Sequence, residues 1–550
     1  MTLYSNTDRT RRLWLASLLV VALSVTPVFG WQTAATAPKT DATLSVAERS
    51  AESSLSVDTI KNVTAALSAP DMQGRGTGQP GGDKAAKYLS DYFAKLGMRP
   101  LGDNGTFLQA IPFAGSVVLP DSTMTAGTTA LKYGEDWLMT QQHPDSQKEL
   151  KTGVVFINYG VVSPELKRDD LANLDLKGKI AVLLSGQPKN VDPAAWNKAA
   201  NPQAALGNLV SKGAVGFIIL NVGSPAQPFS TIANYLTRRQ VHQANGVRPA
   251  IPPIFLFSDG GAEKLFAGSG STYAEAKTKA EAGEAVSRDL GKVLSMNIKV
   301  KKDEANGNNV VGVIDGSDPN LKSQAIAYSA HYDAFGIDLA GKIFPGAADN
   351  AIGVGEMMAI AEVFAKMHTK PRRSIIFIAV TGEEYGLLGS EHWAHNPTWP
   401  LPSLVADLNF DGIGSEVYGP VKQIVGFGAE FSSLGKVLEG VVAAQGAKII
   451  PDPVPDEQVF YRSDHFAFVK VGVPSLMLFG GPDGDTTVWI ARARKWLDSD
   501  YHSPSDTIKP DWDWGGAKDI ANVGLVVGMR VAAADEAPVW DAKSPFQRPK

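Results

Sequence analysis

The chain has 550 residues, 44% of them hydrophobic and 20% charged, a formal net charge of -5 and no cysteine. That length outgrows a single hydrophobic core and calls for more than one domain, while the ordinary globular balance excludes a disordered chain and a polytopic membrane protein. Without a basic tract beyond the extreme N-terminus nucleic acid is excluded as a partner, and without cysteine there are no thiol nucleophiles, thiolate ligands or disulfides, so any metal must be held by His, Asp and Glu.

In chain order, Arg9, Arg11 and Arg12 precede an apolar run over 13–25, then Pro27 and small residues near Gly30 and Ala37. This is the pattern of a secretory signal over 1–30, which predicts export to the periplasm or the medium. An uncleaved anchor is the alternative, although the run is short for a span of about 20 residues. Residues 31–57, rich in Ala, Thr and Ser, read as a linker or loosely helical lead-in. Helical spacing over 57–67 and 82–96 flanks a glycine-rich loop at 74–78. That loop lacks the preceding strand and the Lys-Ser/Thr ending of a phosphate-binding loop.

Short apolar segments at 153–157, 179–184, 215–220 and 251–256, divided by Gly, Pro and Asp turns, predict a small β-rich domain over 116–295, with a helix at 202–211. It contains no chemistry-bearing cluster. Beyond Asn306 the texture changes to strands at 310–314, 325–329, 375–380 and 406–410 alternating with helices such as 353–367. Alternation of this kind predicts an α/β domain with a mostly parallel sheet and helices on both faces, whose ligands gather at the carboxyl ends of the strands.

Five segments offer metal-competent side chains at strand ends or in the turns that follow: His331, Asp349, the pair Glu383-Glu384, Asp411 and His502. Singly each has an ordinary explanation, as a strand-end polar residue, a solvated glutamate pair or a turn aspartate. Jointly they predict one convergent pocket, because His331, Glu384 and Asp411 each follow on a predicted strand.

These segments, together with Asp71 to Arg75, Asn309 to Gly312, Thr381 to Ser390, Asn409 to Asp411, Ser463-Asp464-His465 and Tyr501 to Thr507, resemble the co-catalytic zinc aminopeptidases, the family that includes secreted bacterial leucyl aminopeptidases and glutamate carboxypeptidase. The resemblance covers 58–115 and 296–530. It implies two zinc ions bridged by Asp349, with His331 and Asp411 completing one site and Glu384 and His502 the other. Imidazole and carboxylate suit zinc, and three protein ligands per ion leave room for water and substrate. By the same resemblance Glu383 is the general base, Asp333 accepts the N–H of the His331 ring, with a simple strand-end cap as its alternative, and the Asp349-Asn350 peptide is cis. Tyr461 is the candidate hydroxyl for the oxyanion, with a structural wall residue as its alternative. His465 is expected to stabilise its loop rather than bind metal, and His143, His242, His368, His392 and His395 match no motif.

The 116–295 region resembles a protease-associated domain, which implies a lid or docking surface that restricts large substrates. Residues 296–535 would form the catalytic domain with 58–115, and 536–550 a C-terminal tail. The implied function is hydrolysis of the N-terminal peptide bond of peptides with a free N-terminus. Its rivals are a carboxypeptidase of the same family, which would need a carboxylate pocket drawn from Arg75, Arg238, Arg239 or Arg462, a non-catalytic receptor homologue, and a cyclase acting on N-terminal glutamine.

Overall fold

The computed structural model describes residues 43–140, 148–200, 202–223, 228–244, 252–412, 417–481 and 486–548. The expected signal segment and His143 lie outside them. No helix among the described residues is long and apolar enough to cross a membrane. Contacts divide the chain into two units, Gly115–Gln240 with Gly246–Asp303, and Gly30–Ala114 with Val241–Asn245 and Glu304–Lys550.

In the first unit the strands Lys148–Phe156, Ile180–Leu184, Gly216–Leu220 and Ile254–Phe257 run parallel. Antiparallel strands flank them, Trp137–Met139 on one side and Arg288–Ile298 on the other. The central strands are buried on both faces, as parallel strands must be. What covers them is helix, including Phe229–Leu236, Asp259–Phe266 and Tyr273–Glu281. The unit is therefore mixed α/β, which corrects the expectation of a β-rich region. These helices have only eight or nine residues, too few for an apolar period to stand out from sequence. Their signal lies in the caps instead: Ser258 accepts from the Gly261 N–H, and Thr272 and Glu275 form a reciprocal capping box.

The second unit is built on a larger sheet whose central strands lie in the order Val300–Ile314, Ser374–Val380, Ala325–His331, Leu404–Phe410, Ser475–Gly480, Gln423–Phe427. Of these, Ser374–Val380, Ala325–His331, Leu404–Phe410 and Ser475–Gly480 run parallel. Register sets the site. His331 pairs with Val380, and Ser329 with Asn409, so the residues after those strands, Thr381 onward and Asp411, emerge beside His331.

Helices Val57–Leu67, Pro80–Lys95, Ile352–Lys366 and Gly515–Ala533 share one core with the sheet. Leu388–His395 and His465–Lys470 contribute Trp393 and Phe468 to another. Helix Ile352–Lys366 is apolar almost all round because it is enclosed on all sides. Its Gly355 allows a close helix approach: a Cβ there would lie 2.8 Å from the Ile60 carbonyl oxygen. The lead-in departs from a tether, since Val46–Ser54 is a helix with a Ser45-Glu48 capping box. Ala51 and Leu55 are buried, and Glu48 pairs with Arg530 at 2.8 Å, which anchors the segment to the last long helix.

Candidate active site

His331 ends its strand fully buried, and its Nε2 lies 3.3 Å from Asp349 Oδ1 and 3.2 Å from Asp411 Oδ1. The other oxygen of Asp349 faces a second imidazole: Oδ2 is 3.2 Å from His502 Nε2, which is also 3.0 Å from Glu384 Oε2. Two triads result, His331-Asp349-Asp411 and Asp349-Glu384-His502, each with its donor atoms within 4.8 Å of one another. Asp349 belongs to both and offers one oxygen to each.

Local folding explains how such distant residues meet. Asp349 and Asn350 depart from helical backbone in the turn before helix Ile352–Lys366, and the peptide between them is cis. The Asn350 amide donates to the Phe410 carbonyl at 2.8 Å, and its Oδ1 accepts the Gly353 and Gly412 N–H groups, each at 3.1 Å. One side chain thus joins the Asp349 turn to the end of the Asp411 strand. Buried Asn309 does the same for the glutamate loop: it accepts from the Thr381 N–H and donates to Gly389 and Gln109. Gly382 and Gly386, at φ +75° and +96°, turn the chain between those anchors in conformations glycine adopts freely.

Glu383 Oε2 lies 3.8 Å from His331 Nε2, so the unligated glutamate of the pair also faces the cluster. The Asp333 carboxylate accepts the Glu383 N–H at 3.2 Å and the Thr77 hydroxyl at 2.8 Å. Its distance to His331 Nδ1 is 3.7 Å, beyond hydrogen-bond range, and the nearer acceptor for that ring nitrogen is the Asp333 carbonyl at 3.2 Å. The expected link from ring to Asp333 is therefore through its backbone, and its carboxylate holds the Glu383 loop.

Burial drives the electrostatics. It raises Glu383 well above the usual carboxylate range, with the nearby Asp411 adding, and raises Glu384 to about 7. Burial alone would lower the histidines, but Glu383 and Asp411 hold His331 well above its ordinary value, and Glu384 and Asp349 raise His502 to about 9. Asp349 runs the other way: burial would raise it, yet the two imidazoles hold it below the usual range. Carboxylates this crowded and desolvated call for positive charge among them. A pair of divalent ions on two imidazoles and three carboxylates fits that demand, and the nitrogen and oxygen donor set suits zinc.

The Tyr461 ring is 53% exposed and packs edge-on against Phe460 and Phe466. A residue not singled out from sequence, Tyr501, contacts the cluster instead, and Arg462, the neighbour of Tyr461, is tied to it. Tyr501 stacks on the His502 ring with centroids 3.6 Å apart, and its hydroxyl accepts from Arg462 Nη2 at 3.2 Å. Both feel the charge of Glu383. The signal for Tyr501 is its place next to His502, a candidate metal-holding residue. His465 is buried beside Phe460 and falls in neither triad; burial lowers it to about 3. Of the other histidines, His242, His368, His392 and His395 also belong to no triad among the described residues.

With this geometry in hand, comparison with known proteins is informative. Residues 309–527 match the model of peptidase family M28. This part of the chain is similar to that family, and it contains both triads. The chain is 31% identical over 242 residues to a probable leucine aminopeptidase 2 of Aspergillus oryzae (strain ATCC 42149 / RIB 40), covering 42% of this chain and 44% of that one. It is 29% identical over 191 residues to a probable glutamate carboxypeptidase of Arthroderma benhamiae, covering 32% and 24%. The chain thus spans less than half the length of these curated relatives. Among solved structures, an aminopeptidase from Aneurinibacillus sp. strain AM-1 has the same fold, with a TM-score of 0.58 at 17% identity, covering 92% of this chain and all of that one. A zinc aminopeptidase from Bacillus subtilis follows at 0.52 and 17%, covering 88% and 97%.

Proposed function

We propose that the M28 region binds two zinc ions and makes the protein an exopeptidase that removes residues from the free N-terminus of peptides. The observation that carries this reading is the pair of triads sharing Asp349, with Glu383 beside them. Two such ions supply a water of lowered pKa and a polarised scissile carbonyl. His331 and Asp411 would hold one ion, Glu384 and His502 the other, and Asp349 would bridge them. Glu383, which faces the cluster without belonging to either triad, is placed to take a proton from that water and return it to the departing amine. Asp333 fixes the Glu383 backbone, and so the reach of that carboxyl. The Arg462-Tyr501 pair supplies the donors best tied to the cluster for a developing oxyanion, and they carry this role in preference to Tyr461.

Aminopeptidase is favoured over carboxypeptidase by the names of the relatives and by the fate of the arginines. Arg75 gives its donors to backbone carbonyls and Arg239 pairs with Asp303 at 2.6 Å. Arg462 donates to Glu457 and to Tyr501, so none of these three offers an uncommitted fork for a bidentate carboxylate pocket. The unit Gly115–Asp303 we take as a protease-associated domain, on the resemblance carried by the segments that form its strands Ile180–Leu184 and Gly216–Leu220. Export rests on the 1–30 pattern, and N-terminal sequencing of the protein as cells release it tests it.

The functional test is hydrolysis of free-amine and N-acetylated aminoacyl p-nitroanilides, with chelator and with zinc restored. Chelator-sensitive release from the free-amine set alone is the expected result. Silence on that panel with cleavage of N-blocked peptides at their acidic C-termini would replace it with the carboxypeptidase.

A further inference from the structure

The turn that carries Asp349 satisfies only part of its backbone itself, through the Ala351 and Ile352 N–H groups on the Gly346 and Ala347 carbonyls. It begins at Gly346, left-handed at φ +56°, and its residues from Ala347 to Ala351 are buried. Buried peptide groups need partners, or each costs about 1–3 kcal/mol. Two side chains far apart in sequence, Arg75 and Asp506, supply the rest.

Arg75, fully buried, donates Nη1 to the carbonyls of Pro345 at 2.5 Å and Leu67 at 2.8 Å, Nη2 to Gly346 at 2.8 Å and Nε to Tyr332 at 2.5 Å. Asp506, also buried, accepts the Ala348 N–H on one oxygen at 2.9 Å and the Asp349 N–H on the other at 3.0 Å. Its backbone carbonyl takes the Ala347 N–H at 3.2 Å. Arg75 thus holds the carbonyls entering the turn, and Asp506 the N–H groups leaving it.

The two anchors also differ in what else they hold. Tyr332, bound by Arg75, lies directly after His331. Asp506 lies four residues beyond His502, in the same loop. We propose that Arg75 and Asp506 are paired positioning residues for the bridging Asp349, Arg75 setting it against His331 and Asp506 setting it against His502, so that each governs one half of the metal centre. This inference rests on the two-zinc reading. The groups to be held dictate the residue types. Several carbonyls are met by a planar guanidinium with five fixed donors, where lysine has a single point charge, and two adjacent N–H groups are met by a carboxylate, which accepts on both oxygens.

The test uses Arg75→Lys and Asp506→Asn, with Ser505→Ala as a control, since that exposed hydroxyl bonds only within its own loop. Zinc affinity is measured by chelator competition in His331→Ala and His502→Ala backgrounds, each of which leaves one triad intact. Amide hydrogen exchange at Ala348 and Asp349 is followed in the metal-free protein. Asp506→Asn should weaken the Glu384-His502 site about 10–100-fold, the range seen when partners of metal ligands are lost, and Arg75→Lys the His331-Asp411 site by a similar factor. Asp506→Asn should also speed exchange of the two amides at least about tenfold, while Ser505→Ala changes neither. Wild-type affinity at both sites with unchanged exchange would overturn the proposal, and equal weakening of both sites by either variant would overturn the division into halves. Should Arg75→Lys not fold, Asp506→Asn decides alone. If the wild-type chain takes up no zinc, the two-zinc reading fails, and exchange in the metal-free protein still decides whether Asp506 clamps the turn.

Discussion

Both units are built around parallel strands, yet among the described residues only one collects metal-competent groups at their carboxyl ends. In the first unit the residues just past those ends are Asn158, Ser185, Asn221 and Ser258. They serve their own loops: Asn158 donates to the Glu284 carbonyl, Asn221 to that of Ser185, and Ser258 caps a helix. In the second unit the same positions hold His331, the Thr381 to Glu384 loop and Asp411, whose side chains turn to a common centre. Parallel strands create the place for a site in both, and the side chains decide whether it holds chemistry.

The contrast predicts a graded series of effects. Asp349→Ala removes a ligand from both triads, so zinc content by atomic emission should fall below one ion per chain and hydrolysis by at least about 10³-fold, several kcal/mol of transition-state stabilisation. Glu383→Gln should keep both ions but lower kcat by about 10²–10⁴-fold with KM little changed; loss of zinc in this variant would make Glu383 a ligand and undo its assignment. Asn309→Ala, which frees the Thr381 N–H and the Gly389 carbonyl, should weaken zinc binding about 10–100-fold without touching a ligand. Its counterpart in the other unit, Asn158→Ala, should cost about 1 kcal/mol in denaturant titration and leave kcat and zinc unchanged. A loss of zinc there would erase the difference between the units.

A further effect concerns His465, which lies in neither triad. Its folded pKa of about 3 lies below the unfolded value of 6.5. Above pH 6.5 it is neutral in both states and stability is unaffected. As pH falls below 6.5 the unfolded chain takes up the proton first, and stability declines by about 1.4 kcal/mol per pH unit from this group. His465→Leu should flatten that part of the acid unfolding curve.

Much of the candidate site was legible because the residues of its two triads sit in compact motifs. His331, Glu384 and Asp411 each follow a strand whose apolar run is visible in the sequence, and parallel pairing brings such positions together. Tyr461 and Tyr501 mark the limit. Each neighbours a motif, and nothing local distinguishes a ring packed on Phe460 and Phe466 from one stacked on His502. The short helices of the first unit escaped for a related reason, since eight or nine residues carry too few apolar positions to define a face.

The sequence by itself determined the residue types of the two triads, the alternation that builds a parallel sheet and the absence of thiol chemistry, because these are properties of composition and near-neighbour spacing. Only the tertiary structure decided that Asp349 offers one oxygen to each imidazole, that Asp333 holds Glu383 through its backbone, and that Arg75 and Asp506 enclose the turn between them. Those contacts join residues hundreds of positions apart, and their geometry depends on strand register and on where buried peptide groups find partners.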